Sequence, residues 1–341
     1  TVILCRDVLV WMRTPEDIID GAYDYLIIIF WGIPTVFLYN MVAGIIRSLG
    51  DSKTPVFFLI LSSIINVVLD LFFILNLNMG VAGAAWATVI AQGVSGVACL
   101  FYMIKKFDIL HIQKGEWKAD SHMMGVLCGM GIPMGLQYSI TAIGSVILQG
   151  ATNTLGSLAV ASITAGSRIA NILGCPFDAM GTTMATYGGQ NIGAKKLERI
   201  GTGLKECIKL GIGYSVIALG ITLLFGKYLA LLFVDSSEIE IIANVQTFLI
   251  FNTAAYSLLA LVNIIRFLIQ GMGFSKFAIL AGVLEMIARS LVAVTLVSPL
   301  GYLGVCLGNP MAWVFADIFL IPAYFHVMKV VRGRFERGEE M

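Results

Sequence analysis

Asn66 and Asp70 stand four residues apart in an otherwise apolar run, so both fall on one helical face. Residue 79 marks the middle of the turn that follows. Asp70 lies nine residues before it and Thr88 nine after, which puts each about 13 Å from that end at 1.5 Å per residue. Tyr25, about eight residues inside an earlier run, lies about 12 Å deep by the same arithmetic. Three polar side chains thus share one level, with Asn66 one turn deeper. The oxygens of Asp70, Asn66 and Thr88 suit a hard cation such as Na⁺, and a desolvated carboxyl can exchange a proton. A purely structural hydrogen-bond cluster is the alternative reading of the same residues.

The elements around them are long and apolar. Hydrophobic residues make up 58% of the 341, charged residues 13%, and mean hydropathy is +0.89. A soluble domain carries about twice that share of charge, and no soluble core could bury so much apolar surface. The solvent must be lipid. Nine complete runs are long enough to span a bilayer, roughly 18–48, 54–78, 80–105, 123–152, 155–188, 198–232, 237–269, 274–298 and 301–331. Residues 1–12 read as the tail of an earlier helix. An Asp near mid-membrane costs about 2.5–3.5 kcal/mol on insertion scales, so Asp70 needs water, a partner or a task.

Charge in the loops alternates. Fifteen basic residues fall in one set of loops, among them Arg47, Lys53, Lys105, Lys106, Lys114, Lys195 and Arg199, and two (Arg13 and Lys227) in the other. The positive-inside rule puts the first set, and the C-terminus, in the cytoplasm. Net charge is +1, which gives no reason to expect a nucleic-acid partner. The six cysteines lack a CxxC pair and read as small apolar fillers. Histidines lack ligand spacing. Without GxxxxGK[ST] there is no ATP motor in this chain, and no surface cluster of His, Cys or carboxylate suggests an enzyme. No cofactor is expected beyond the coupling ion.

Other intramembrane polar groups are Gln137, Arg168 and Asp317, candidates for a cavity wall. Glu285 and Arg289 stand at i,i+4 and read as a structural ion pair. Asp178 reads as a solvated residue near a cytoplasmic helix end. Pro34, Pro133 and Pro176 are expected to kink their helices.

Gly50-Asp-Ser-Lys53 is answered by Gly273-Phe-Ser-Lys276, and Gly80-Val-Ala-Gly83 by Gly301-Tyr-Leu-Gly304, at nearly equal separations along the chain. Order, spacing and topology agree, so the pattern predicts a parallel repeat of two six-helix halves of about 222 residues. On that reading 1–105 is the remainder of the first bundle, 106–121 a cytoplasmic linker and 122–341 the second bundle. The first half would then begin about 100 residues before Thr1, and about two and a half of twelve helices are expected to be missing.

Arg47-Ser-Leu-Gly-Asp-Ser-Lys-Thr-Pro55 resembles the loop between helices four and five of multidrug and toxic compound extrusion (MATE) transporters. Asn66-Val-Val-Leu-Asp70, Gly80-Val-Ala-Gly-Ala-Ala-Trp-Ala-Thr88, Gly131-Ile-Pro133 through Gln137, and Gly189-Gln-Asn-Ile-Gly-Ala194 are similar to other signatures of that family. The resemblance implies an all-α polytopic membrane protein, two six-helix bundles around a cavity that opens alternately to each side. The Asn66/Asp70 pair is similar to the DinF-like branch, which implies a coupling-ion site of Tyr25, Asn66, Asp70 and Thr88. The second-half acids of the NorM-like branch are not evident; Gln137 lies near one such place. The implied function is Na⁺- or H⁺-coupled antiport of amphipathic, often cationic, organic compounds by a monomer in a prokaryotic cytoplasmic membrane. The alternative is a flippase for lipid-linked oligosaccharides, which would want several Arg or Lys in its cavity.

Overall fold

The computed structural model describes residues 5–11, 16–111, 118 and 120–337. Lys114 and Arg13, part of the charge pattern above, lie outside the described residues. Every regular element among those described is helical: α1 (Cys5–Trp11), α2 (Glu16–Trp31), α3 (Ile33–Ser48), α4 (Lys53–Leu71), α5 (Gly80–Lys106), α6 (Ser121–Asn153), α7 (Ser157–Gly193), α8 (Leu197–Ala230), α9 (Ile239–Ala254), α10 (Tyr256–Gly271), α11 (Lys276–Thr295), α12 (Val297–Leu300), α13 (Tyr302–Cys306) and α14 (Gly308–Glu336). A π-helical turn, Phe72–Asn76, continues α4, and a short 3₁₀ turn, Asp108–Leu110, follows α5. Two compact units emerge, Thr1–Lys118 and Ala119–Met341.

Among the described residues seven helices are long and apolar enough to cross a membrane, and nine spans result when each of two bent pairs is taken as one. Those pairs correspond to the runs 18–48 and 237–269, each continuous in the sequence and broken in the structure. The first bends by 44° at Gly32, where Pro34 opens α3. The second bends by 51° at Ala255, with no proline at all. There Asn252 donates its amide to the Phe248 carbonyl (2.9 Å) and Thr253 its hydroxyl to the Leu249 carbonyl (2.8 Å). Such back-bonding competes with the backbone ladder and bends helices. Pro133 and Pro176 lie inside helices that continue through them.

Repetition of geometry is close. The paired helices α2/α9 and α3/α10 are 16 residues each, and their boundaries match at one constant offset along the chain. Gly50 and Gly273 both sit at φ 93°, Gly80 and Gly301 both at φ 55°. Only glycine adopts these left-handed conformations without cost. Gly50 and Gly273 close α3 and α10 by the same pair of bonds: Asp51 N–H to Ile46 O and Gly50 N–H to Arg47 O, then Phe274 N–H to Ile269 O and Gly273 N–H to Gln270 O.

Within unit 1, α5 packs against α2, α3 and α4. Its buried face is built from small residues: Gly83, Ala85, Ala87, Ala91, Ser95, Gly96 and Cys99. Small side chains let helices approach closely where apolar burial gives no drive between them. On α4 the opposite face, with Phe57, Ile60, Ile64, Val67, Val68 and Leu71, is exposed and apolar apart from Ser63, whose hydroxyl bonds back to the Leu59 carbonyl, as a lipid-facing stripe requires. Unit 2 holds larger cores. One joins Phe177, Tyr256, Leu268, Leu320 and Val327, another Ile163, Val245, Phe248 and Leu249.

Candidate functional site

The α4–α5 contact places Ser62, Asn66 and Asp70 at four-residue steps on one helix beside Thr88 and Gln92 on the other. Asn66 Nδ2 donates to Thr88 Oγ1 at 3.4 Å, while the Thr88 hydroxyl donates to the Ala84 carbonyl at 3.0 Å. Among the described residues Asp70 Oδ1 is buried with no hydrogen-bond partner, and so is Gln92 Oε1. Of the four residues marked by depth, Asn66 and Thr88 meet in one seam, and Asp70 lies one turn from Asn66 on α4; the residue opposite Thr88 is therefore Asn66, where the depth arithmetic put Asp70 level with it. The fourth, Tyr25, sits half-buried on α2, which also packs on α5, and among the described residues it makes no hydrogen bond to the others. Gln92 was not singled out in the sequence, although its i,i+4 spacing from Thr88 carries the signal. Uncommitted oxygens are the chemical content of the seam. A carboxylate and an amide oxygen buried without donors want a cation, a proton or water.

Unit 2 carries a second polar site, absent from the depth arithmetic. Arg266 on α10 and Arg289 on α11 both hold Glu285: Arg266 contacts Oε1 directly, and Arg289 Nη1 reaches Oε2 at 3.4 Å. All three side chains are buried, each arginine 7% exposed and Glu285 4%. The expected Glu285/Arg289 pair is therefore a triad whose main member, Arg266, the sequence did not reveal. Gln137 is engaged within the bundle, its Oε1 accepting from Gln270 Nε2 at 2.9 Å. Asp317 is buried with both carboxyl oxygens unpartnered among the described residues. Arg168 is exposed.

A cavity of about 590 Å³ opens within unit 2, its wall including Gln149, Asn171, Asp178, Asn252, Asn263, Arg289 and Asn309 beside Phe248, Tyr256 and Trp313. Gln137, Arg168 and Asp317 are not in that wall. Asp178, read as solvated, is indeed exposed; it borders this cavity and accepts from Asn263 Nδ2 at 2.9 Å. What differs is its place along the helix: α7 runs on to Gly193, so residue 178 lies mid-helix and not near an end.

Comparison with known proteins decides the family. The MatE family model matches residues 1–72 and 133–295. The chain belongs to the MatE family. Among its relatives, the "Probable multidrug resistance protein YpnP" of Bacillus subtilis (strain 168) is 33% identical over 231 residues, covering 67% of this chain and 51% of the relative. The "Probable multidrug resistance protein YoeA" of the same organism is 28% identical, covering 71% and 54%. The MatE chain thus spans about half the length of these curated relatives. Its fold is that of solved MATE proteins. A crystal structure of MATE in complex with MaL6 superimposes with a TM-score of 0.89 at 20% identity, covering 97% of this chain and 75% of that one. An outward-facing multidrug resistance MATE family transporter gives 0.88 at 21% identity with the same coverage.

Proposed function

We propose that this MatE protein exports amphipathic organic compounds in exchange for an inward-moving Na⁺ or H⁺, with Asp70 as the coupling residue. The observation that carries the reading is the buried, unpartnered Oδ1 of Asp70 in a seam that also holds Asn66, Thr88 and Gln92. A bound Na⁺ would be held by Asp70 with the neutral oxygens of Asn66 and Thr88, and Tyr25 would border the site. A proton would instead neutralise the carboxyl alone. Either way the net charge of the site changes, and a carboxylate oxygen left buried without compensation favours a conformation that wets it. The names of the relatives, two of them multidrug resistance proteins, support organic cargo. The basic loops place the C-terminus in the cytoplasm in this reading.

Efflux of ethidium or norfloxacin from proteoliposomes under an imposed Na⁺ or H⁺ gradient tests it. Asp70→Asn keeps the shape and removes the charge, so gradient-driven efflux is expected to collapse while insertion is unchanged. Asn66→Ala and Thr88→Ala each remove one neutral ligand or hydrogen bond, worth about 0.5–1.5 kcal/mol, and weaken coupling less. Near-normal driven efflux by Asp70→Asn would leave the seam a structural feature.

A further inference from the structure

The repeat aligns the two polar sites position by position. At the offset that joins Lys53 to Lys276, Asn66 corresponds to Arg289 and Tyr25 to Phe248. At the offset that joins Gly80 to Gly301, Thr88 corresponds to Asn309 and Gln92 to Trp313. Arg289, Phe248, Asn309 and Trp313 all border the unit 2 cavity. The cavity therefore stands where the repeat places the seam of unit 1, with a guanidinium in place of an amide. Asp70 corresponds to Ala293, so the carboxylate has no counterpart.

Arg289 is poorly provided for by its own protein. A guanidinium has five N–H donors, yet among the described residues its one hydrogen bond is the 3.4 Å contact to Glu285 Oε2, and its Nε is buried without a partner. Glu285 is shared, since Arg266 occupies its other oxygen. Glu285 is not in the wall; the carboxylate that is, Asp178, accepts from Asn263 Nδ2 at 2.9 Å. The same wall carries the rings of Phe248, Tyr256 and Trp313, and the volume is that of a drug-sized ligand. A planar guanidinium matches a carboxylate or phosphate with two parallel bonds, and aromatic rings favour a flat apolar body.

We infer that the unit 2 cavity binds aromatic organic anions, carboxylate or phosphate, on Arg289. The inference rests on the exporter reading and extends its cargo from cationic compounds to anions. Binding is measured by titration calorimetry on the purified protein in nanodiscs, without any gradient. The probes are 2-naphthoate, 1-naphthyl phosphate, neutral 2-naphthamide and cationic 2-naphthylmethylammonium, which share one ring system. The anions are expected to bind more tightly than the amide, and the ammonium least. Which of carboxylate and phosphate binds more tightly identifies the preferred anion. Arg289→Gln should cost the anions about 10- to 100-fold in affinity and leave 2-naphthamide unchanged. Arg289→Lys, which keeps charge without the fork, should recover part of that loss. Equal or tighter binding of the ammonium by the unmutated protein would overturn the inference whether or not the variants fold. So would unchanged 2-naphthoate affinity in folded Arg289→Gln. Failure of the Asp70 efflux experiment, with these affinities as expected, would overturn the exporter reading alone.

Discussion

Unit 1 sets Asn66 beside Thr88 with an unpartnered Asp70 one turn away; unit 2 sets Arg289 and Asn309 in the same repeat positions, with Ala293 where the carboxylate would be. The scaffold is the same in both. Helix lengths, the bends at Gly32 and Ala255, and the glycine closures at 50 and 273 recur at one constant offset. Chemistry diverged on a repeated geometry, because side chains facing a polar seam can change sign while the backbone-determining glycines and small residues stay. Around the site the difference continues: buried Arg266 and Glu285 of unit 2 occupy the positions of Ala43 and Ser62 in unit 1.

That contrast can be broken most severely at Arg266. Arg266→Ala gives unit 2 the residue that unit 1 has at this position, but leaves Glu285 with the long Arg289 contact alone. Removing one partner of a buried ion pair costs about 3–5 kcal/mol, so the thermal midpoint in detergent should fall sharply. Glu285→Gln in the same molecule is expected to recover part of the loss. A full-strength midpoint for Arg266→Ala alone would show that the triad contributes nothing to unit 2.

A smaller effect is expected at a helix crossing. A methyl group built on Gly271 would sit 2.6 Å from the Ala185 Cα, a backbone atom that cannot turn aside. Gly271→Ala should therefore destabilise by about 1–3 kcal/mol. Its counterpart Ser48 is exposed, and Ser48→Ala should stay within about 0.5 kcal/mol. Paired thermal unfolding curves check the difference, and equal midpoints would contradict close packing at the α7–α10 crossing.

The smallest effect concerns acid. Asp51 caps α4: Oδ1 accepts the Thr54 N–H at 3.1 Å, and Oδ2 accepts the Thr54 hydroxyl at 2.8 Å and Lys106 Nζ at 3.3 Å. The Thr54 amide, then its hydroxyl, then Lys106 hold this carboxyl down at about 2, against an ordinary 3.8. A depressed value means that the stabilisation is complete above the ordinary value and is lost as pH falls through about 2. Amide exchange in the first turn of α4 should thus quicken as pH drops through that window, relative to the intrinsic rate, and Asp51→Asn should remove the change. The first turn of α11 has Phe274 at the matching position and should show no such step.

Much of this architecture was legible in the chain. Apolar runs of span length, separated by turns, located nine spans because lipid leaves no other way to satisfy a backbone. The Gly-x-Ser-Lys and Gly-x-x-Gly echoes exposed the repeat because left-handed closures admit little else. Depth arithmetic brought Asn66, Asp70 and Thr88 to within one turn of each other, since helical rise converts residue number into distance, but it did not show that Thr88 bonds Asn66. Of the three prolines expected to kink, Pro34 marked a break between helices, while α6 and α7 run on through Pro133 and Pro176.

Tertiary structure decided the rest. The bend at Ala255 depends on side chains that bond back to their own helix, a choice that polar residues make only in context. Asp178 borders a cavity only because α7 packs against α9 and α10. Arg266 is a single charge in an apolar run, and its meaning depends on Glu285, a residue on another helix that comes into contact only when α10 and α11 pack. Sequence spacing measures depth and face along one helix; which faces meet, and therefore which charges are paired and which are left for a ligand, is settled only when the helices are assembled.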